Sequence, residues 1–278
     1  MPPTPAAPTQ TERAQTFRAL HHQPGGFVIP NPHDAGTARI LHALGFQALA
    51  TTSAGFAWSL GQKDGAITRA EALANARAIV DATPLPVSAD LEDGYGHDPA
   101  AVAETIRLAH DAGLVGCSIE DATGDPAQPI YPLDEAIARI AAAVAAARAL
   151  PTPFTLTARA ENFLHGRPDL PDTIRRLQAF EAAGADVLYA PGLPTLDAVR
   201  QVCVAVGRPV NVVAGRTGTT AEIFAAGARR ISLGALLSRA ALGAFAAAAR
   251  EIAGPGTLGF VPAAMTSAEA NALMRGRA

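Results

Sequence analysis

Pro86-Val87-Ser88-Ala89-Asp90-Leu91-Glu92-Asp93-Gly94-Tyr95-Gly96 is an apolar run that ends in three acidic residues, followed by a tyrosine between two glycines. Read as a buried strand, it collects carboxylates at its C-terminal end and then turns sharply. Residues two apart on a strand share a face about 6–7 Å apart. Asp90 and Glu92 then point the same way if strand geometry persists past Asp90. At an effective dielectric near 20 such a pair repels by roughly 2–3 kcal/mol, so it calls for a cation, a proton or water.

Outward from this stretch one unit recurs: an apolar strand, a loop, and an Ala-rich helix ending near glycine. The strands are expected at 26–30, 46–51, 86–90, 115–120, 154–158, 186–190, 209–213 and 229–233. Helices are expected at 35–44, 68–82, 98–112, 133–149, 170–183, 195–206, 217–226 and 234–252, preceded by one at 11–22. Thr68, Asp98, Asp134, Thr195 and Thr219 stand near helix starts, and Gly45, Gly113, Gly184, Gly207 and Gly227 follow helix ends. The strands read as continuous apolar runs, which indicates a parallel sheet buried on both faces. Eight such units argue for an α/β fold of the (β/α)8, TIM-barrel type, and no G-x-G-x-x-G follows the first strand to favour a dinucleotide fold. The expected organisation is a disordered or draped tail at 1–10, one barrel over 11–252, and a C-terminal extension at 253–278 set off by Gly254-Pro255-Gly256.

The formal net charge is −3 and no basic cluster stands out, which argues against nucleic acid as a partner. No apolar segment reaches the ~18–20 residues of a membrane span, and the N-terminus lacks the pattern of a signal peptide. A cytoplasmic protein is expected, with Cys117 and Cys203 as buried free thiols.

In a barrel of this kind the active site lies at the C-terminal strand ends. Those ends carry Asn31, Thr51-Thr52-Ser53, Asp90 and Glu92, Glu120-Asp121, Arg159 with Glu161, Tyr189, Asn211 and Ser232. Asp90, Glu92 and Glu120 fall on adjacent strands and can gather around one point, with Asp64 on the loop after the second strand in reach. Oxygen ligands without a converging histidine pair suit Mg²⁺, or Mn²⁺, over Zn²⁺. Arg159 is a fork-shaped partner for a substrate carboxylate. With the backbone of Thr52-Ser53-Ala54-Gly55 and with Asn211, these groups would bind a small 2-oxo acid, its oxo group on the metal, and stabilise an enolate.

These residues resemble the isocitrate lyase/phosphoenolpyruvate mutase superfamily over nearly the whole chain. The D-x-D-x-G-[YF]-G segment of that superfamily is similar to Asp90-Leu91-Glu92-Asp93-Gly94-Tyr95-Gly96, with glutamate at the second acidic position. Ser118-Ile119-Glu120-Asp121, Ala158-Arg159 and Leu60-Gly61-x-x-Asp64 also match. The resemblance implies a barrel binding Mg²⁺ through Asp90, with Glu92, Glu120 and Asp64 acting directly or through water, and Arg159, Ser53 and Ala54 holding the substrate. It also implies a homotetramer, a dimer of dimers exchanging the eighth helix. The loop after the fourth strand, Ala122 to Tyr131, has neither the Lys-x-Cys-Gly-His of the lyases nor the Lys-x-Asn segment of the mutases. The expected activity is therefore a Mg²⁺-dependent carbon–carbon lyase reaction on a 2-oxo carboxylate, such as oxaloacetate decarboxylation, with catalytic roles for Arg159, Glu120 and Asp64. Phosphonopyruvate hydrolysis and a 2-oxo acid binding protein without catalysis are the alternatives.

Overall fold

The computed structural model describes residues 7–215 and 217–275; the first six residues of the expected tail lie outside this range. Eight strands, β1 (Phe27–Ile29), β2 (Leu49–Ala50), β3 (Val87–Asp90), β4 (Gly116–Glu120), β5 (Thr155–Arg159), β6 (Val187–Tyr189), β7 (Val210–Val213) and β8 (Arg230–Ser232), form one parallel sheet. Their order is β1-β8-β7-β6-β5-β4-β3-β2. The open seam between β1 and β2 is bridged by one backbone bond, from Ala50 N–H to Pro30 O at 3.1 Å. Pro30 and Pro32 have no N–H to give, so a longer ladder cannot form there, and β2 is two residues long where six were expected. Asn31 takes over the task. Its Nδ2 donates to Thr51 O at 2.9 Å and its Oδ1 accepts from Leu233 N–H at 2.8 Å, joining the ends of β1, β2 and β8. The (β/α)8 barrel is thus closed by a side chain where the backbone fails.

The helices are α1 (Gln10–Leu20), α2 (Ala35–Ala43), α3 (Ser53–Ser59), α4 (Arg69–Ala82), α5 (Pro99–Asp111), α6 (Leu133–Arg148), α7 (Leu170–Ala182), α8 (Leu196–Ala205), α9 (Thr220–Ala225), α10 (Leu236–Ala253) and α11 (Ser267–Met274). Thr9, Asp34, Thr68, Thr195 and Thr219 accept a backbone N–H as N-caps, each a contribution of about 1 kcal/mol. Asp98 makes no such bond, although it stands at the N-cap of α5. The short α3 was not expected as a helix.

Strand side chains alternate more than an all-apolar reading allows. Cys117, Ile119, Leu156, Ala158, Val212 and Ile231 pack outward into the layer shared with the helices. The opposite faces of the same strands carry Ser118, Glu120, Thr157, Arg159, Asn211, Arg230 and Ser232 into the barrel. At the N-terminal end α1 closes the barrel with Phe17, fully buried beside Ile29, Ala48 and Val115. Gly116 makes room for it: a Cβ there would lie 2.5 Å from Thr155 O and 3.1 Å from the Phe17 ring.

The eighth unit departs from the others. In α10 only Ser238 is buried, while Leu237, Leu242, Phe245 and Ile252 face out, Phe245 at 75 % exposure. The chain then returns through α11 to α2, where Arg39 donates to Met274 O. Among the described residues no helix is long and apolar enough to cross a membrane.

His21, the residue that ends α1 as its C-cap, is locked as a neutral imidazole. Its Nδ1 lies 2.8 Å from Phe17 O, which can only accept, and its Nε2 lies 3.2 Å from Arg230, which can only donate. Burial first, and the Arg230 charge second, hold its pKa down at about 3. With the folded value below the unfolded one, this group's stabilisation is intact above about pH 6.5 and is lost as pH falls. Between pH 7 and 5 the loss is expected to be about 2 kcal/mol. Urea midpoints of the wild type and His21→Gln at both pH values check it: the variant should be less stable at pH 7 and lose correspondingly less on acidification.

Candidate active site

The strand register assembles the mouth. Asp90 pairs with Ser118, and Glu120, two residues further along β4, pairs with Arg159, which pairs with Tyr189. Three strand ends therefore deliver an acid, an acid and a guanidinium to one side of the barrel. Asp90 is the most heavily bonded. Its Oδ1 accepts from Arg159 at 2.7 Å and Ser118 at 3.3 Å, its Oδ2 from Ser53 at 2.9 Å, and its backbone N–H donates to Thr51 Oγ1 at 3.0 Å.

Arg159 does not present an open fork. Its Nε and one terminal nitrogen meet Glu161 Oε1 at 2.9 and 2.8 Å, and the other terminal nitrogen lies 2.7 Å from Asp90 and 3.0 Å from Glu120. Nε and one terminal nitrogen donate hydrogen bonds, to Glu161 and Asp90, and ion pairs tie the guanidinium to all three carboxylates. Arg159 is thus a hub for three carboxylates, which occupy part of the fork expected to meet a substrate carboxylate. Burial would lower its pKa, but Glu120, Glu161 and Asp90 more than offset that and hold the guanidinium charged. Its carbon lies 5.1 Å from the centre of the Tyr189 ring, which floors the mouth.

Glu92 is reached differently from the sequence expectation. The strand stops at Asp90, and Glu92 has φ +48° on the turn that follows. That backbone costs a non-glycine residue roughly 1–2 kcal/mol. The turn is held from behind by Arg139 of α6, which donates to Gly96 O at 2.8 Å and to the carbonyls of Asp93 and His97, and stacks 4.2 Å above Tyr131. Asp93 caps the same turn, accepting from Tyr95 N–H at 2.8 Å. Glu92 still faces a cavity of about 600 Å³ shared with Asp64, Asp90, Glu120, Glu161 and Arg159.

Asp121, by contrast, turns away from the mouth. It is 2 % exposed and accepts from Arg176 at 3.0 Å and from Glu161 N–H at 2.8 Å. It anchors the loop that carries Glu161. Asn211 lies below the mouth with its amide bonded to Ser232 and Arg230 at 3.0 and 2.8 Å. Thr52 caps α3, and Ser53 and Ala54 open it, so their N–H groups have no acceptor within the helix. Asp64 stands at the outer rim.

The loop after β4 folds on itself as a hairpin. Ala122 bridges Ile130, Thr123 N–H donates to Pro129 O at 3.1 Å, and Tyr131 N–H donates to Asp121 O at 2.8 Å. Its tip, 124–128, is exposed. His97, bonded to the Tyr131 hydroxyl at 2.7 Å, and His165, 4.0 Å from Glu161, stand on the cavity wall. Ser118, Arg139 and His165 were missed by the sequence reading. Ser118 was recoverable from its two-residue spacing to Glu120, and Arg139 from its place among the alanines of α6.

Six carboxylates and one arginine side chain line the cavity. The consequence is visible in Glu92, whose pKa rises to about 8 through burial and then the charges of Asp90, Asp64 and Asp93. Glu120 is likewise raised, by burial and by Glu161, Asp90 and Glu92, against the pull of Arg159. Glu92 Oε1 is buried with no hydrogen-bond partner. Among the described residues no three acidic, histidine or cysteine side chains are set to hold an ion directly. The set Asp90, Glu92 and Glu120 is therefore not assembled as three direct ligands. A cation that takes one or two carboxylates and keeps its own waters, as Mg²⁺ does, fits this arrangement: Asp90 and the orphaned Glu92 oxygen would face it.

The profile of the phosphoenolpyruvate phosphomutase family matches residues 17–253, and the chain belongs to that family, within the isocitrate lyase/phosphoenolpyruvate mutase superfamily. A Burkholderia cenocepacia J2315 structure, described as a candidate lyase/mutase, is 57 % identical with a TM-score of 0.92 and 95 % of each chain covered. Oxaloacetate decarboxylase of Bradyrhizobium diazoefficiens is 31 % identical over 80 % of this chain and 78 % of its own. A phosphonopyruvate hydrolase complex with oxalate and Mg²⁺ is 25 % identical, with a TM-score of 0.83 over 96 % of this chain and 95 % of that one.

Because Glu92 has a folded pKa above its unfolded value, its charge destabilises the protein progressively as pH rises from about 4.5 through 8. Glu92→Gln is expected to raise the melting temperature above pH 8 and leave it nearly unchanged at pH 5. Each kcal/mol relieved corresponds to roughly 2–4 °C. Differential scanning calorimetry at the two pH values checks this; an equal shift at both would refute the assignment.

Proposed function

We propose that the protein is a Mg²⁺-dependent lyase-type enzyme that cleaves a carbon–carbon bond in a small 2-oxo carboxylate, with decarboxylation of a 2-oxo dicarboxylate such as oxaloacetate the favoured reaction. One observation carries the reading: the mouth gathers six carboxylates around a single arginine, while the hairpin beside it offers no lysine, cysteine or histidine. An anionic substrate enters such a mouth only with added positive charge. Mg²⁺, held by Asp90 and Glu92, would supply Lewis-acid polarisation of the 2-oxo group. The N–H groups of Ser53 and Ala54 and the rest of the Arg159 fork would orient the carboxylate beside it.

Loss of CO₂ from the β-carboxylate breaks the carbon–carbon bond and leaves its electron pair as an enolate, so no base has to remove a proton. One proton must then reach carbon. His97 and His165 stand on the cavity wall as the nearest imidazoles for that delivery. The relatives named above, a decarboxylase and a hydrolase that both act on 2-oxo acids by name, support this class of substrate. The apolar outer side of α10 extends the reading to assembly: Leu242, Phe245 and Ile252 would be covered by a second copy exchanging this helix, in a homotetramer. Light scattering is expected to give four chains.

Purified protein with Mg²⁺ should convert oxaloacetate to pyruvate and CO₂, and EDTA should abolish turnover. Inorganic phosphate from phosphonopyruvate would move the assignment to C–P cleavage, and tight oxalate binding without turnover of any 2-oxo acid would make it a binding protein. Asp90→Asn should weaken Mg²⁺-dependent oxalate binding at least tenfold and cost less stability than Asp121→Asn, because Glu120 and Glu161 stay on Arg159. Asp121→Asn should do the opposite, with a stability loss of up to about 3 kcal/mol from weakening a buried pair. Calorimetric titration and urea melts of both variants separate the two roles.

A further inference from the structure

Arg230 is the second guanidinium inside the barrel, and its surroundings are unlike those of Arg159. It is 5 % exposed. Nε donates to Asn211 Oδ1 at 2.8 Å, one terminal nitrogen to Thr157 Oγ1 at 3.0 Å, and the other to His21 Nε2 at 3.2 Å. All three partners are neutral, and no carboxylate among the described residues is within ion-pair distance. A buried charge without a counter-charge is costly, and a neutral side chain of similar volume fills such a space more cheaply. The field it creates is felt nearby, since its charge helps to hold His21 neutral.

That field is directed upward. A chamber of about 60 Å³ separates Arg230 and Asn211 from Asp90 and Arg159 at the mouth, and all four line it. Because Arg230 can only donate, it fixes the Asn211 amide with its oxygen down and its NH₂ toward Ser232, which also lines the chamber. Asn211 can therefore offer only donors to what lies above. Donors fixed in place, over a buried positive charge with no carboxylate beside it, favour anions.

We propose that Arg230 is a positioning residue that fixes Asn211 as a donor and places an unneutralised positive charge beneath the mouth, so that the site selects ligands by their negative charge. This rests on the 2-oxo acid reading of the mouth given above. A charge acting through roughly 10 Å at an effective dielectric near 20 changes affinity about tenfold per unit of ligand charge. Oxalate, a dianion, and pyruvate, a monoanion, are therefore the probes, titrated calorimetrically in the presence of Mg²⁺.

Arg230→Gln keeps a donor for Asn211 and removes the charge; it is expected to weaken oxalate about tenfold more than pyruvate. Arg230→Lys keeps the charge and removes the fork; it is expected to weaken both by a similar factor and preserve their ratio. Equal losses for the two ligands in Arg230→Gln, or a changed ratio in Arg230→Lys, would overturn the role, and either variant alone decides the matter if the other does not fold. Wild-type protein that binds neither ligand overturns the reading of the mouth and this role together. Normal wild-type binding with the wrong variant pattern overturns only the role of Arg230.

Discussion

Arg159 is the interaction on which the mouth depends. It holds Asp90, Glu120 and Glu161 within 3.0 Å of one guanidinium and so allows carboxylates from three successive strand connections to share a space they could not otherwise share. The hub is still undersized for the charge around it. The deficit appears in the raised pKa values of Glu92 and Glu120, and under the proposed reading it is the deficit that a divalent cation would offset. Structural cohesion and cation demand are two readings of one imbalance. The conformational strain of Glu92 is part of it, since the turn that carries this acid is held in place from outside by Arg139.

Beneath the hub the barrel is polar along its axis. A chain of contacts runs from His21 on α1 through Arg230 and Asn211 to Ser232. Each link pairs a donor with an acceptor, and the donors left over on Arg230 and Asn211 are on the groups that line the chamber. The chain links the helix that plugs the barrel floor to the strand ends that form the mouth. Packing alone would do neither job as specifically, since apolar contacts set no tautomer and no amide orientation.

Much of this was legible in the sequence. Repeated strand–helix units with threonine and aspartate caps give the barrel, and acids at the ends of neighbouring strands give the mouth. What was not legible depends on register and on interruptions. Glu92 lies two residues past the strand's end at Asp90, so the strand spacing no longer applied. Thr52 does cap α3, but seven residues are too few to show a period. Asp121 and Glu120 are neighbours in sequence with opposite fates, because alternate residues at a strand end face opposite sides. Arg230 looked like one more residue in an apolar run, and nothing short of the β7–β8 pairing places it beside Asn211. Arg159 was identified at once, yet its partners could be counted only in three dimensions.

The hairpin at 122–131 has a kinetic meaning. Its bonds run from Thr123 N–H to Pro129 O, from Gln128 N–H to Asp125 O and from Tyr131 N–H to Asp121 O, so it is braced against itself with its tip in solvent. A reactive carbanion formed under a tight cover survives long enough to be recaptured by a second electrophile. Under an open rim it partitions instead toward whatever proton arrives first, and the light product diffuses away. Under the proposed decarboxylation, an exposed hairpin would favour one-way fragmentation over rearrangements that must keep both fragments in place.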